Sequence, residues 1–321
     1  MKLTCITNKG WSGVVEALNT TVKIVGSGRC LWVDDDIRNN FRIFNILNEI
    51  ESDIILVGGY GPIINGLINT GANKKSKVVV LWCSNILQSE LTGEMDQFNM
   101  ILSMLRAKRI HSLAFIEKES YVAMKNLFPK ENFSYMPVVP IDRNVENKAV
   151  FPDDSFNVDV FCTPDGRKNI YNQLLALHDI SKVHVNYSKP SYVNLVKNFP
   201  GIINHGRMSL SDLDTYSAGM NLCSQVSMNE SFNYVAADHM YMGVPVLASR
   251  FVPAVFDTSS ELIHKHLIVN NPMDTQEIKE KSLYIKNNKA LNKELGEISK
   301  IEIQKIHEIR RADLLESIAS L

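Results

Sequence analysis

Short β-branched runs alternate with longer amphipathic stretches from the first residue to about position 270, and this alternation constrains the fold more than any other feature. Such a pattern is typical of βα units, in which parallel strands form a sheet covered by helices. In the first half, the predicted strands are residues 2–7, 53–57, 78–82 and 112–116. Residues 39–50 and 96–107 carry apolar side chains at helical spacing. We therefore expect one parallel sheet in this half.

The pattern stops at residues 137–156, where three prolines and several Asp and Asn residues interrupt the periodicity. It then restarts, with predicted strands at 158–162, 182–187, 221–224 and 245–249 and predicted helices at 169–178, 211–218 and 231–242. A charged helical segment, 275–321, follows and is expected to pack on the back of the second sheet. Since 321 residues suit two domains better than one, the predicted domains are 1–150 and 151–321, both α/β.

Composition narrows the class of protein. With 45% hydrophobic and 21% charged residues, the chain is neither disordered, collagen-like nor a coiled coil. Its apolar runs are too short to span a bilayer, and its first residues lack the apolar core of a signal peptide, so we expect a cytoplasmic protein. A net charge of −1, with 17 basic and 15 acidic residues in the first half, argues against a dedicated nucleic-acid-binding protein.

The cysteines, aspartates and histidines of the chain give little support for a metal site. The five cysteines are never closer than 25 residues and lack a CxxC pair, which favours reduced thiols over disulfides or a zinc site. Asp34-Asp-Asp36 could bind a divalent cation, but it precedes the predicted helix at 39–50, where acidic residues stabilise a helix N-terminus. Among the dispersed histidines, we expect only His205 and His239 to lie near the site described next.

The segment 227–249 carries the strongest functional signal. A helix predicted to begin at Ser231 would direct unpaired N–H groups and its positive dipole end towards an anion such as a diphosphate. Glu230 lies at that end, and Asp238, two turns further along, has a carboxylate that could accept from both hydroxyls of a ribose. Gly243-Val-Pro-Val246 then ends the helix and begins the next strand. Together these residues predict a nucleotide-sugar site.

The spacing of Glu230, Asp238 and Gly243-Val-Pro-Val246 resembles the E-x7-E signature of the type 4 family of GT-B glycosyltransferases. The segment 160–169, VFCTPDGRKN, is similar to the strand, loop and basic residues that open the second domain in that family. Residues 204–206 (NHG) and 210–213 (LSDL) resemble the elements that precede the E-x7-E helix. The resemblance covers residues 158–250 well and the first half in outline.

This resemblance implies a GT-B fold, in which two Rossmann-like domains face a cleft, the first binding an acceptor and the second a nucleoside diphosphate sugar. It implies sugar transfer to a hydroxyl acceptor with retention and without a metal or other cofactor. Lys168, with Arg167, would offset the charge of the leaving diphosphate, and Glu230 would hold sugar hydroxyls. The backbone amides of three residues would contact the phosphate, and Asp238 would bind the ribose. These three residues are Ser231, Phe232 and Asn233.

The chain departs from the family pattern at three positions. Asp238 stands where the family has Glu, and is one methylene shorter. The family's arginine, about five residues before the lysine, is absent, so Arg167 is expected to supply the second positive charge. Residues 82–84 (WCS) offer no counterpart to the histidine that many members carry near the sugar.

Two glycine loops of the first half follow predicted strands, where open α/β sheets bind ligands. Gly10 and Gly13 are candidates for contact with the donor phosphate or the acceptor, as the resemblance implies. A turn that merely needs positive φ would also explain Gly10 and Gly13. Gly58, Gly59 and Tyr60 are further candidates.

Alternative functions remain open. The same architecture supports nucleotide-sugar epimerases, which need placed carboxylates and histidines, and it could persist as a catalytically silent binding scaffold. A glycan is the default acceptor, and a hydroxylated DNA base is an alternative that the even charge balance supports weakly. Residues 106–109 (RAKR) are a short candidate for contact with a membrane or a polyanion.

Overall fold

The structure, a computed structural model, describes residues 1–33, 51–59, 76–85, 88–90, 93–141, 145, 147–151 and 154–321. These residues form two compact units, Met1–Val139 with Glu308–Leu321, and Pro140–His307. The sequence predicted a single domain boundary after residue 150. It assigned the whole C-terminal segment to the second domain. The last residues pack instead with the first unit, because Leu314 and Ile318 are buried and the Ser317 hydroxyl donates to the Tyr135 carbonyl.

The first unit contains one six-stranded sheet. Its strands are β1 (Leu3–Asn8), β2 (Gly28–Val33), β3 (Ile54–Gly58), β4 (Lys77–Trp82), β5 (Ser112–Phe115) and β6 (Phe133–Tyr135). The order is β2-β1-β3-β4-β5-β6, and every adjacent pair is parallel. The helices described here are α1 (Ser12–Val25), α2 (Met95–Arg106) and α3 (Lys118–Leu127). Strand order reverses between β1 and β3, the position where such sheets bind ligands.

Aromatic and branched side chains form the core of this unit. The rings of Trp82 and Phe98 meet edge to face with centroids 5.3 Å apart, and Phe115 lies 6.3 Å from Phe98 and 5.8 Å from Phe133. All five residues of β3 are buried, as expected for a central strand covered on both faces. Each such fully buried apolar side chain contributes about 1.5–3 kcal/mol of transfer free energy.

The second unit contains another parallel six-stranded sheet. Its strands are β7 (Asn157–Asp159), β8 (Lys182–Val185), β9 (Ile202–Asn204), β10 (Leu222–Gln225), β11 (Val246–Ser249) and β12 (Ile268–Val269). Their order, β12-β11-β10-β7-β8-β9, is that of a Rossmann fold. The first helices are α4 (Ile170–Leu177), α5 (Pro190–Val196), α6 (Leu210–Gly219) and α7 (Tyr234–Tyr241). The remaining helices are α8 (Pro253–Phe256), α9 (Glu261–Leu267), α10 (Thr275–Asn287) and α11 (Lys289–Ser320).

The predicted strands and helices in the described residues are confirmed, with bounds that differ by one to three residues. The sequence missed β2 and β6, among others. β2 is an edge strand whose side chains are mostly exposed or half-buried, so it lacks a continuous apolar run. The predicted helix at 39–50, the acidic run 34–36 and Tyr60 lie outside the described residues. No helix in the described part of the chain has the length and apolarity needed to cross a bilayer.

Candidate functional site

The basic pair lies where the strand order of the second sheet reverses, in the loop that follows β7. Arg167 and Lys168 end a short 3-10 turn, Gly166–Lys168, and the Asp165 carboxylate caps this turn by accepting from the Arg167 N–H at 3.0 Å. Asn169 follows with φ 53°, in the left-handed region that Asn tolerates better than most residues. The pair therefore precedes α4, which begins only at Ile170.

The Glu230 carboxylate, from the loop after β10, binds both cations. Arg167 Nη1 donates to Oε2 at 2.8 Å, and Lys168 Nζ contacts Oε1. The Ser227 hydroxyl also donates to Oε1, at 2.8 Å. Only 5% of the Glu230 side chain is exposed, against 17% for Arg167 and 13% for Lys168. The structure thus brings together Arg167 and Lys168, which the sequence predicted to act on a diphosphate, and Glu230, which it predicted to hold sugar hydroxyls.

A polar framework that the sequence analysis missed supports these loops. Gln173, on the buried side of α4, donates to the Lys168 carbonyl at 2.7 Å and accepts from the Ser224 hydroxyl at 2.7 Å. Its oxygen also accepts from the Val226 N–H at 3.0 Å, and Met228 N–H donates to the Arg167 carbonyl at 2.7 Å. The signal in the sequence was a glutamine among the apolar positions of a helix, where an unpaired amide would be costly.

Helix α7 begins three residues later than predicted. Ser231, Phe232 and Asn233 form the loop before it, because Asn233 has φ 78° and cannot belong to a right-handed helix. The Asn233 side chain caps the helix by accepting from the Ala236 N–H at 3.0 Å, and donates to Gln225 Oε1 at 3.0 Å and to Glu230 Oε1 at 3.3 Å. The ring of Phe232 is buried, and its carbonyl accepts from the Ala254 N–H.

Asp238 and His239 lie side by side on α7 and face different surroundings. Asp238, one turn into the helix, is half-buried. His239 is only 1% exposed, so its ring lies in the interior of the second unit. Its Nε2 lies 2.5 Å from Asp159 Oδ2, and its Nδ1 lies 2.7 Å from the Val235 carbonyl oxygen. Burial alone would lower the pKa of His239, but the Asp159 carboxylate and these hydrogen bonds raise it above its ordinary value.

His205 belongs to a separate cluster. Its ring stacks on that of His184 with centroids 5.2 Å apart, and its Nε2 lies 2.9 Å from His184 Nδ1. Burial lowers the pKa of His205, and burial together with the neighbouring His205 lowers the pKa of His184 to about 4. Both rings are therefore neutral near pH 7.

One group in the described residues could offer three ligand atoms to a metal. Asp159, Cys223 and His239 place a carboxylate oxygen, a thiol and an imidazole nitrogen within 4.8 Å of one another. Burial, with the nearby Asp159 carboxylate, raises the pKa of the Cys223 thiol well above its ordinary value. The carboxylate and the imidazole are hydrogen-bonded directly to each other.

In the first unit, the glycine candidates lie at the corresponding reversal of strand order. Gly10 N–H donates to Asn8 Oδ1 at 2.8 Å, and Gly13 lies in the first turn of α1 with open space where a Cβ would be. Gly59 has φ 73°, and a Cβ there would lie 2.2 Å from the Trp11 ring. Packing against Trp11 therefore explains Gly59, whereas Gly10 and Gly13 stay candidates for ligand contact.

Two parallel six-stranded sheets, the second with Rossmann order, form the GT-B fold, which is also the fold of similar solved structures. The sucrose-phosphate synthase of Thermosynechococcus elongatus superposes with a TM-score of 0.72 and 13% identity, over 100% of this chain and 99% of that one. A trehalose-6-phosphate synthase, solved to study glycosyl transfer with retention, superposes with a TM-score of 0.73 and 13% identity. The match covers 100% of this chain and 99% of that one. The predicted fold class is confirmed.

A third similar structure is Staphylococcus aureus TarM, bound to fondaparinux, α-GlcNAc-glycerol and UDP. It gives a TM-score of 0.67 and 14% identity, and 88% of this chain matches 58% of that one. No protein-family model matches the sequence, and no curated protein matches it by sequence.

Proposed function

We propose that the chain is a glycosyltransferase that moves a sugar from a nucleoside diphosphate donor to a hydroxyl acceptor, with retention of anomeric configuration and without a metal ion. The observation that carries this proposal is the convergence of Arg167, Lys168 and Glu230 where the strand order of the second sheet reverses. Open α/β sheets bind ligands at this position, outside the carboxyl ends of the strands. Similar folds have been solved with UDP and with UDP-2-fluoro glucose, which supports a nucleotide-sugar donor.

Arg167 and Lys168 would act on the leaving diphosphate. Negative charge grows on the diphosphate as the bond to the sugar breaks, and cations already held in place stabilise that charge without reorganising. The departing diphosphate would take the acceptor proton on the same face, so the protein supplies charge stabilisation and needs no strong base. Electrostatic stabilisation of this kind supplies a large part of the rate enhancement in many enzymes.

Glu230 would position the two cations as well as contact the donor sugar. Both of its oxygens accept from side chains of this chain, Arg167 on one and Lys168 with Ser227 on the other. Contact with a sugar hydroxyl therefore requires one of these hydrogen bonds to be shared or exchanged. Asp238, half-buried on α7, would accept from the ribose hydroxyls, and the amides of the 231–233 loop would face the phosphate.

The acceptor would be a glycan or another hydroxyl compound bound by the first unit, with Gly10 and Gly13 near the donor phosphate or the acceptor. The TarM structure contains a glycosylated glycerol, which supports a hydroxyl acceptor. The cysteines Cys5, Cys30, Cys83, Cys162 and Cys223 are all free thiols, which supports a cytoplasmic location.

The test of this proposal is a turnover assay over a panel of nucleotide sugars. The wild-type chain is expected to cleave one donor and release its nucleoside diphosphate. Lys168→Ala and Glu230→Ala should each lower that turnover roughly 10²–10³-fold, because each removes a charge-stabilising contact. Lys197→Ala and Glu261→Ala, at exposed positions of the same unit, are the matched controls and should retain full activity. Losses within about threefold for Lys168→Ala and Glu230→Ala would reject this site.

The same panel separates the alternative functions by their products. An epimerase would return an epimerised nucleotide sugar, and a silent scaffold would bind a nucleotide sugar without turning it over. The structure favours transfer over epimerisation, because His239 points into the core and His205 stacks on His184.

A further inference from the structure

We propose that His239 is a positioning residue for the donor site: through a buried ion pair with Asp159 it fixes the rotation of α7 about its axis and thereby the place of Asp238. This inference rests on the proposed function, since it assigns Asp238 to the donor.

The hydrogen bonds of His239 define its protonation. The Val235 carbonyl oxygen can only accept, so Nδ1, 2.7 Å away, carries a hydrogen. Nε2 lies 2.5 Å from a carboxylate oxygen of Asp159, which accepts when ionised. An ionised Asp159 would place a hydrogen on Nε2 as well and make His239 an imidazolium, the form that the Asp159 carboxylate favours by raising the pKa of the ring. Besides Asp159, the titratable groups near the ring are the neutral Cys223 thiol of β10 and the adjacent Asp238 of α7.

The Asp159–His239 pair joins α7 to β7, a central strand of the second sheet. Asp159 is the last residue of β7 and is 0% exposed, and it pairs in register with Cys223 of β10. Among the described residues Asp159 Oδ1 has no hydrogen-bond partner, and Oδ2 contacts the His239 ring, which therefore compensates the buried carboxylate. At the N-terminus of α7, Asn233 donates to Gln225 of β10. Two polar contacts, one at the cap and one in the second turn, thus attach this short helix to β10 and β7.

Attachment at His239 determines where Asp238 points. Successive residues of an α-helix are separated by about 100° around its axis. With the His239 ring held against Asp159 on the sheet side, Asp238 is directed to the half-buried side of α7. An apolar side chain at 239 would leave rotation of the helix to packing alone, because hydrophobic contacts are not directional. A displacement of about 1 Å in the groups that hold a substrate lowers the reaction rate by up to about 100-fold.

The experiment compares the wild-type chain with the double variant Asp159→Leu/His239→Met. Replacing both partners of a buried ion pair by apolar residues often leaves a protein as stable or more stable, so this variant keeps the fold while removing the directional contact. The matched control is Asn157→Leu/His184→Leu, which removes another buried hydrogen bond, of 3.1 Å, between β7 and β8 but leaves α7 untouched. Calorimetry with UDP, ADP and GDP measures donor affinity, and thermal melting reports stability.

We expect the Asp159→Leu/His239→Met variant to melt near the wild-type temperature and to bind the preferred nucleoside diphosphate roughly 10- to 100-fold more weakly. The control should bind it with wild-type affinity. Should the double variant itself fail to fold, Asp159→Asn/His239→Leu replaces it, since this pair removes the directional contact at residue 239 without leaving a buried charge; weaker binding by this folded variant is again expected. Wild-type affinity in the folded variant would overturn the positioning role.

A spectroscopic measurement tests the ion pair independently of any ligand. Nitrogen-15 NMR of the histidines should show both nitrogens of His239 protonated at pH 7. A neutral ring, or a stoichiometric bound metal lost on Cys223→Ala, would overturn the proposal. If His239 is an imidazolium but the wild-type chain binds no nucleoside diphosphate, the proposed function fails and the positioning role with it, while the ion pair itself stands.

Discussion

Asn233 shows how a single residue sets the geometry of the candidate site. Its φ of 78° stops α7 from beginning earlier, and its side chain reaches the helix cap, Gln225 and Glu230 at once. Asn is one of the few residues other than Gly that adopts the left-handed region at low cost. The sequence indicated a helix start near Glu230, but no residue pattern specifies that one asparagine would serve both as turn and as cap.

Two substitutions at this position separate backbone from side-chain effects. Asn233→Ala loses the cap, which costs about 0.5–2 kcal/mol, and Ala lacks the local side-chain hydrogen bonds that let Asn adopt the left-handed region, whose steric cost is about 1–2 kcal/mol. Asn233→Gly tolerates that φ and should cost less. Urea unfolding should therefore rank the stabilities wild type, Gly, Ala. Equal stability of the two variants would show that the positive φ is not maintained in the protein.

His184 should make the stability depend on pH. Its pKa is lowered to about 4 by burial and by His205, whereas in the unfolded chain it titrates near 6.5. Between these values the unfolded chain binds a proton that the folded chain does not, so the free energy of unfolding should fall as the pH drops from about 6.5 to about 4. His205, whose pKa is also lowered, acts in the same direction.

His184→Gln tests this assignment, because the amide can replace the ring as a hydrogen-bonding group but does not titrate. The difference in unfolding free energy between wild type and variant, measured in urea at several pH values, should shrink as the pH falls below 6.5. A difference that stays constant from pH 7.5 to 4.5 would contradict the buried neutral state of His184.

At the scale of elements, the sequence predicted the central strands far better than the edge strands, and it missed the helices α1, α3 and α5. β3, β4, β10 and β11 are short runs of mostly buried residues and were found within one or two residues. β2 and β6 are edge strands with half-exposed residues, and their pairing depends on neighbours distant in sequence. The same limit applies to the site: its residue types could be read from the sequence, but the hydrogen bonds of Gln173, Ser227 and Asp159 depend on the sheet.

The contact between α11 and the Gly243 turn gives a prediction at this scale. Gly243 has φ 75°. A Cβ added at Gly296 of α11 would lie 2.2 Å from the Gly243 carbonyl oxygen. In an exposed helix, a Gly→Ala substitution stabilises the helix by roughly 0.5–1 kcal/mol. At Gly296, however, the added Cβ would force the backbone to move. Gly296→Ala should lower the unfolding free energy by about 1–3 kcal/mol, as overpacking does.

Glu297→Ala, at the exposed neighbouring position, is the control and should change stability little. Denaturant unfolding of both variants checks the prediction. A Gly296→Ala variant as stable as wild type would mean that α11 does not approach the turn this closely.

For the whole molecule, the C-terminal helix is the part that composition and periodicity could not assign. Its apolar stripe indicated packing but not the partner, and the predicted domain boundary assigned the helix entirely to the second domain. In the structure, Arg310 donates to the Val138 carbonyl and Ser317 to the Tyr135 carbonyl, so Glu308–Leu321 belongs to the first unit. Partners separated by more than 170 residues leave no local signal in the sequence.

Truncation after His307 should therefore weaken the first unit selectively. The change removes the buried side chains of Leu314 and Ile318, each worth about 1.5–3 kcal/mol. Hydrogen exchange should accelerate in β5 and β6, while β10 and β11 keep their protection. Loss of protection confined to the second unit would contradict the assignment of Glu308–Leu321.

The central claim is that Arg167, Lys168 and Glu230 form the diphosphate site of a glycosyltransferase. The most direct measurement is the rate of nucleoside diphosphate release from the preferred nucleotide sugar by wild type, Lys168→Ala and the control Lys197→Ala. The account predicts turnover by wild type and control and a roughly 10²–10³-fold loss in Lys168→Ala. Cleavage of no donor by the wild-type chain, or equal rates in all three proteins, would contradict it.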